Sequence, residues 1–362
     1  LEITAQFDIQ FSQYLAPDGA ATQPLPDFAE DVDELIRMYR MMALTRIFDG
    51  KAINLQRTGK LGTYPSCLGH EAAHIGVAAA MTERDSLAIS YRETGTVLWR
   101  GVTMEEVLLY WGGDERGSNW SGPSQDFPVC IPIATQCLHA AGAAMAFQYR
   151  GEDRCAVGII GDGGTSEGAF YEAINLAGVK QLPAVFVVVN NRWAISVPIS
   201  AQTATETLAQ KAIAAGIPGI QVDGNDVIAV RHWTQRALDR ARRGDGPSLI
   251  EAVTYRLSDH TTADDARRYR SDEEVQQAWE LEPLERLRTY LLNIGAWSEA
   301  QEENLKEECV NSIDAAVEAY INRRPQAVGS MFEYLFEQPT DRLRQQRAIA
   351  QRYAGNHSDE HG

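Results

Sequence analysis

The chain of 362 residues is short of the features that mark several large classes of protein. No apolar run approaches the roughly 18 residues that a bilayer-spanning helix needs, so a membrane is not an expected partner. The five cysteines, Cys67, Cys130, Cys137, Cys155 and Cys309, are scattered and form no Cys-x-x-Cys pair. That spacing indicates neither a cysteine zinc site nor a disulfide framework, and reduced, mostly buried thiols are expected. Basic residues are in deficit, 33 against 50 acidic ones, and a net charge of -17 would repel a phosphate backbone. Nucleic acid is therefore not an expected partner. The segment LEITAQFDIQFSQYL lacks a basic flank ahead of an apolar core, which gives the expectation of a cytoplasmic protein. Internal repeats and low-complexity stretches are absent as well.

What remains is an ordinary globular composition, 44% apolar and 23% charged. Residues 1–30 are polar and punctuated by proline, and are expected to form an arm outside the core. Helical periodicity follows in DVDELIRMYRMMALTRIFDGKAINLQR, GHEAAHIGVAAAM, GVTMEEVLLYW and QCLHAAGAAMAFQYR. From Cys155 the pattern alternates. Apolar runs CAVGII, AVFVVVN, GIQV and SLIEAVTYRL are separated by helix-like stretches near 167–180, 204–215 and 227–243. Continuous apolar strands joined by helices predict an α/β fold, a doubly wound, mainly parallel sheet covered by helices on both faces. The domain is expected over 31–270, a helical C-terminal region over 271–352 and a flexible tail over 353–362.

Two of those runs end in small residues that carry oxygen: Gly-Asp-Gly-Gly at 161–164 and Asn190-Asn191. In a right-handed strand-helix-strand unit both strands point their carboxyl ends to one edge of the sheet, where α/β folds bind ligands. Asp162 and the asparagine pair should therefore face one crevice. Gly161, Gly163 and Gly164 lack the side chains that keep a phosphate from a backbone, and a helix N-terminus follows them. A carboxylate, an amide oxygen and a backbone carbonyl just past Asn191 make the partial oxygen shell that Mg²⁺ accepts when a phosphate completes it. A magnesium diphosphate is the expected ligand.

Gly161-Asp162-Gly163, the stretch Gly164–Asn190 and then Asn191 resemble the thiamine diphosphate motif. YPSCLGHEAAHIGVAAAM, SYRETGTVLWRGV, IATQCLHAAGAAMAF, NNRWAIS, GIPGIQVDGNDVIAV and HTTADDARRYRSDEE, in that order, resemble the alpha subunits of the decarboxylating component of 2-oxo acid dehydrogenase complexes. The resemblance implies the thiamine diphosphate-binding fold, with thiamine diphosphate and Mg²⁺ as cofactors. It implies Asp162, Asn191 and the main-chain carbonyl of Trp193 as metal ligands, and Gly163 and Gly164 against the diphosphate. Tyr91 and Arg92 match a Tyr-Arg pair at the phosphates, where a guanidinium fork suits two oxygens. Ile131 and Ile133 match positions meeting the aminopyrimidine, and His260 a catalytic histidine at the mouth whose near-neutral pKa suits proton transfer. Decarboxylation of a 2-oxo acid, pyruvate in preference to 3-methyl-2-oxobutanoate, would deliver an acyl unit to a lipoyl group on an acyltransferase core. The chain holds one diphosphate unit and no second copy with an activating glutamate. The resemblance assigns that group to a beta subunit, in an assembly of two alpha and two beta chains.

Three shorter patterns compete. HEAAH, His70–His74, with Glu93 downstream, fits a zinc-protease helix, but the apolar run Ile75–Met81 and the unexplained Asp162 and Asn191 count against it. GTSEG, with Ser166 central, fits a hydrolase elbow, yet Ser166 lies several residues past the strand end. Gly161 does not begin a dinucleotide fingerprint, because Ser166 occupies its third glycine position.

Overall fold

The computed structural model describes residues 1–357. Six strands form one sheet: β1 (Phe11–Ser12), β2 (Ser86–Ala88), β3 (Ala156–Gly161), β4 (Ala184–Asn190), β7 (Gly219–Asp223) and β8 (Ser248–Val253). A separate two-stranded hairpin joins β5 (Trp193–Ala194) to β6 (Val197–Pro198). The sheet order is β1-β7-β8-β4-β3-β2, and every neighbouring pair runs parallel. This is the expected α/β fold.

Strand β4 is buried from end to end, as Ala-Val-Phe-Val-Val-Val-Asn with no polar alternation requires. Its alternate residues divide between two helical layers. Phe186 and Val188, with Ala156 and Ile160 of β3, pack against the alanine-rich helix 135–150 and the helix 168–180. On the opposite face the helix 227–242 lies across β4, β7 and β8 and packs on the helix 71–80. Gly76 lets those two helices approach, since a Cβ there would stand 2.7 Å from Val230. The small residues of GHEAAHIGVAAAM thus serve a close helix-helix contact.

The first 30 residues depart from the expectation of an arm outside the core. Phe11 and Ser12 extend the sheet beside Gln221 and Val222, and Leu15 is buried. Asp226 holds them: its Oδ2 accepts the backbone N–H groups of Tyr14 (2.6 Å) and Leu15 (2.9 Å), while its Oδ1 caps the helix 227–242. A two-residue strand has too little pattern to be seen without this partner.

The helix expected over 204–215 is broken. Thr203, Thr205 and Thr207 disfavour helix and favour caps, and only a 3-10 turn at Leu208–Gln210, started by a Thr207–Gln210 capping box, and a short helix Lys211–Ala214 form. The chain makes two compact units, Leu1–Glu318 and the residues from Ala319 onward, so the division falls later than the expected 271. In the second unit a helix runs Asp341–His357, into the segment expected as a tail. Residues 358–362 of that tail lie outside the described residues. No described helix is long and apolar enough to cross a membrane.

Candidate active site

At the carboxyl edge of β3 and β4 a cleft of about 250 Å³ is lined by Tyr91, Arg92, Ile133, Asp162, Gly163, Gly164, Asn191, Trp193 and His260, and also by His70, Glu93, Gln136 and Glu167. All the expected site residues except Ile131 meet there. Ile131 and Ile133 are both well exposed, but only Ile133 reaches the wall.

Asp162 leaves the end of β3 and is 2% exposed. Burial pushes its carboxyl up, and the hydrogen bond from Gln202 Nε2 to Oδ2 (2.7 Å) opposes this. It forms no ion pair among the described residues. Asn191 Oδ1 accepts the Trp193 N–H at 3.1 Å, and the Trp193 carbonyl accepts from Arg256 at 3.2 Å. Each oxygen keeps a lone pair, so a carboxylate and two neutral oxygens remain as hard donors. The asparagines of β4 divide their work, contrary to the expectation that both face the crevice. Asn190 donates to buried Glu251 (2.7 Å) and its oxygen accepts the Arg192 N–H, so it braces the sheet and the turn.

The glycines also have a different reason from the one expected. A Cβ on Gly163 would stand 2.5 Å from the Ala194 Cβ, and one on Gly164 would stand 2.6 Å from the Ile160 side chain. Only at Gly161 is the space open. The loop 163–166 is tight because it packs under the hairpin, and buried Lys211 fastens it by donating to the Thr165 carbonyl (2.7 Å) and hydroxyl (2.9 Å).

Positive charge gathers on the other side. Arg92 is buried, donates through Nη1 to the Ser66 carbonyl and through Nη2 to the His260 carbonyl and Nδ1 (both 3.0 Å), and forms no ion pair among the described residues. Arg256, also buried, reaches the Trp193 and Ile195 carbonyls and approaches His260 Nδ1 at 3.5 Å. Burial and then these two guanidiniums push the His260 pKa down to about 4. This corrects the expected near-neutral histidine. With two cationic donors facing Nδ1, that nitrogen is an acceptor, and the neutral ring carries its proton on Nε2.

The competing patterns fail here. His70 and His74 are buried with ring centroids 5.6 Å apart, His74 has neither nitrogen bonded, and no metal-ligating group of three forms among the described residues. Ser166 donates to the Gln202 carbonyl (3.3 Å), not to a histidine.

A buried carboxylate without a cation and a buried guanidinium without an anion, sharing one cleft, are complementary to a metal-bound anion. Comparison with known proteins gives the family. The dehydrogenase E1 component family matches residues 39–327. The chain belongs to that family. It is similar to the 3-methyl-2-oxobutanoate dehydrogenase subunit alpha of Mycobacterium tuberculosis, at 44% identity over 94% of this chain and 93% of the relative. It is also similar to the pyruvate dehydrogenase E1 component subunit alpha of Acholeplasma laidlawii, at 43% over 89% and 94%. The Staphylococcus aureus subunit of the same name matches at 40% over 90% and 88%. Membership of the E1 family implies thiamine diphosphate as the cofactor.

Sequence reasoning missed Gln202, Lys211, Arg256 and Gln136. Gln136 lines the cleft, donates to the Ile159 carbonyl and leaves its own oxygen without a partner. None of the four stands in a run whose chemistry is visible, because their roles arise from chain crossings.

Proposed function

We propose that this chain is the alpha subunit of a thiamine diphosphate-dependent 2-oxo acid dehydrogenase, binding the diphosphate end of the cofactor as its Mg²⁺ complex. The observation that carries the reading is the opposed, unneutralised pair of Asp162 and Arg92 at one carboxyl edge. Asp162, Asn191 and the Trp193 carbonyl hold the metal; Arg92 and Tyr91 stand at the phosphates. Gly161 leaves the backbone accessible, and Ile133 offers apolar surface to the ring end; Ile131, exposed two residues away, is assigned to the same end of the cofactor. When bound, the cofactor supplies the carbon nucleophile and electron sink for decarboxylation. His260, neutral with its proton on Nε2, donates a hydrogen bond toward substrate or lipoyl group.

No carboxylate positioned to activate the cofactor's pyrimidine accompanies a second diphosphate unit in this sequence, which supports completion of the site by a beta subunit in a two-alpha, two-beta assembly. The helices 135–150 and 168–180, which both begin at the cleft, carry exposed Leu138, Met145, Tyr149, Tyr171, Leu176 and Val179. These exposed apolar side chains, on two packed helices whose N-terminal ends line the incomplete site, are the surface we assign to the beta subunit. A lipoyl-bearing acyltransferase core is the acceptor of the acyl group. Pyruvate is the first reading for the substrate. The similarity to the mycobacterial subunit favours 3-methyl-2-oxobutanoate as the second, and one methylene of pocket discriminates by only about 1–3 kcal/mol.

The test is calorimetric titration of thiamine diphosphate with Mg²⁺ into the chain co-expressed with its beta subunit, beside an Asp162→Ala variant. Saturable, magnesium-dependent binding that the variant loses is expected, after which turnover of the two 2-oxo acids ranks the substrates. Absence of binding in the intact assembly would overturn the reading.

A further inference from the structure

Gln202 ends the short turn after the β5-β6 hairpin, remote in sequence from the Gly-Asp-Gly-Gly loop, yet it meets that loop at its charged residue. Its Nε2 donates to Asp162 Oδ2 (2.7 Å) and to the Val197 carbonyl (2.9 Å). Because both neighbours are acceptors, the orientation of the amide is fixed: the reversed group would set its oxygen against a carboxylate and a carbonyl. The oxygen therefore points the other way. It is buried without a partner, 3.8 Å from where a side chain at Gly163 would begin. Its backbone carbonyl accepts from Ser166 at the far end of the same loop.

An unpartnered buried amide oxygen costs about 1–3 kcal/mol and calls for a donor. No side chain supplies one. The donor that belongs beside Asp162 is water, because Mg²⁺ sheds its hydration reluctantly and keeps water in sites built from few protein ligands.

We infer that Gln202 is a positioning residue for the divalent cation: its amide nitrogen aims the Asp162 carboxylate, and its amide oxygen accepts a hydrogen bond from a cation-bound water. The inference rests on the reading of Asp162 as a metal ligand. It adds a contact that joins the hairpin carrying the Trp193 carbonyl to the loop carrying Asp162, so that both donors are set by one side chain. Outer partners of this kind change metal affinity by about 10–100-fold.

The experiment uses Mn²⁺ with thiamine diphosphate in the full alpha-beta assembly. Electron paramagnetic resonance gives the affinity, and hyperfine coupling from isotopically labelled water reports ordered water on the metal. Gln202→Met keeps length but removes both hydrogen-bonding atoms. It should weaken Mn²⁺ binding about 10–100-fold and alter the water signal. Wild-type affinity and an unchanged water signal in Gln202→Met overturn the assignment. Loss of Mn²⁺ in Asp162→Ala with no effect of Gln202→Met refutes Gln202 alone. Absence of Mn²⁺ binding in the wild type overturns the functional reading and this inference together.

Discussion

Asp162 and Arg92 are each costly to bury alone, and neither pairs with the other. Their cost is offset only when a cation and an anion arrive together, which ties binding to both residues. Arg92→Lys keeps the charge but loses the fork to Ser66 and His260, and should weaken diphosphate binding by roughly 10–100-fold, measured by the same titration, since a charged hydrogen bond contributes about 1.5–3 kcal/mol. The buried histidines set a pH dependence. Burial and then Arg92 push the His74 pKa down to about 3, and His260 is held at about 4, against an ordinary value near 6.5. A histidine harder to protonate folded than unfolded leaves the unfolded chain binding more protons as pH falls. Stability is thus full above about 6.5 and is lost progressively as pH drops toward 4 and 3. His74→Leu, which replaces two unpartnered nitrogens, should flatten the fall of Tm between pH 7 and 5; an unchanged slope would show that His74 does not contribute to it.

At the scale of elements, Asp226 joins a cap to a tether. Asp226→Ala removes the cap of the helix 227–242 and leaves the Tyr14 and Leu15 amides without acceptors, a loss of roughly 2–4 kcal/mol from the cap and the stranded donors together. Urea denaturation measures the loss, and earlier proteolysis near residues 11–15 should accompany it. The loop-hairpin contact predicts a different outcome. Gly163→Ala puts a methyl 2.5 Å from Ala194, so the hairpin with the Trp193 carbonyl must shift. Stability should fall by about 1–3 kcal/mol, and cofactor binding should weaken beyond what that loss explains. Wild-type binding in a folded Gly163→Ala protein would show that the hairpin yields freely.

For the whole molecule, the acidic charge and the exposed apolar residues act in different ways. A charge of -17 opposes non-specific association, while the exposed Tyr149 and Val179, at the far ends from the cleft of two packed helices, leave apolar surface for a partner. Tyr149→Asp combined with Val179→Asp should leave the alpha chain folded by circular dichroism yet abolish its co-purification with the beta subunit. Intact assembly in that variant would move the interface elsewhere.

The sequence by itself determined the parallel α/β sheet, because the runs of β3 and β4 are apolar on both faces and alternate with helices, a pattern that a covered parallel sheet satisfies. It also brought Asp162 and the asparagine pair to one edge of the sheet, since strand direction and a right-handed crossover set both carboxyl ends there. Tertiary structure decided what depends on contacts between distant segments. It turned Asn190 to Glu251 and Asn191 to the cleft, which two identical residues in a row cannot declare. It set Arg92 and Arg256 around His260, keeping the ring neutral to a lower pH than a lone loop histidine would allow, and it gave Gly163 a neighbour in Ala194. It also drew residues 11–15 into the core through Asp226. In each case the deciding energy is the burial of a charge or the close approach of two backbones, and neither exists until the chain has folded.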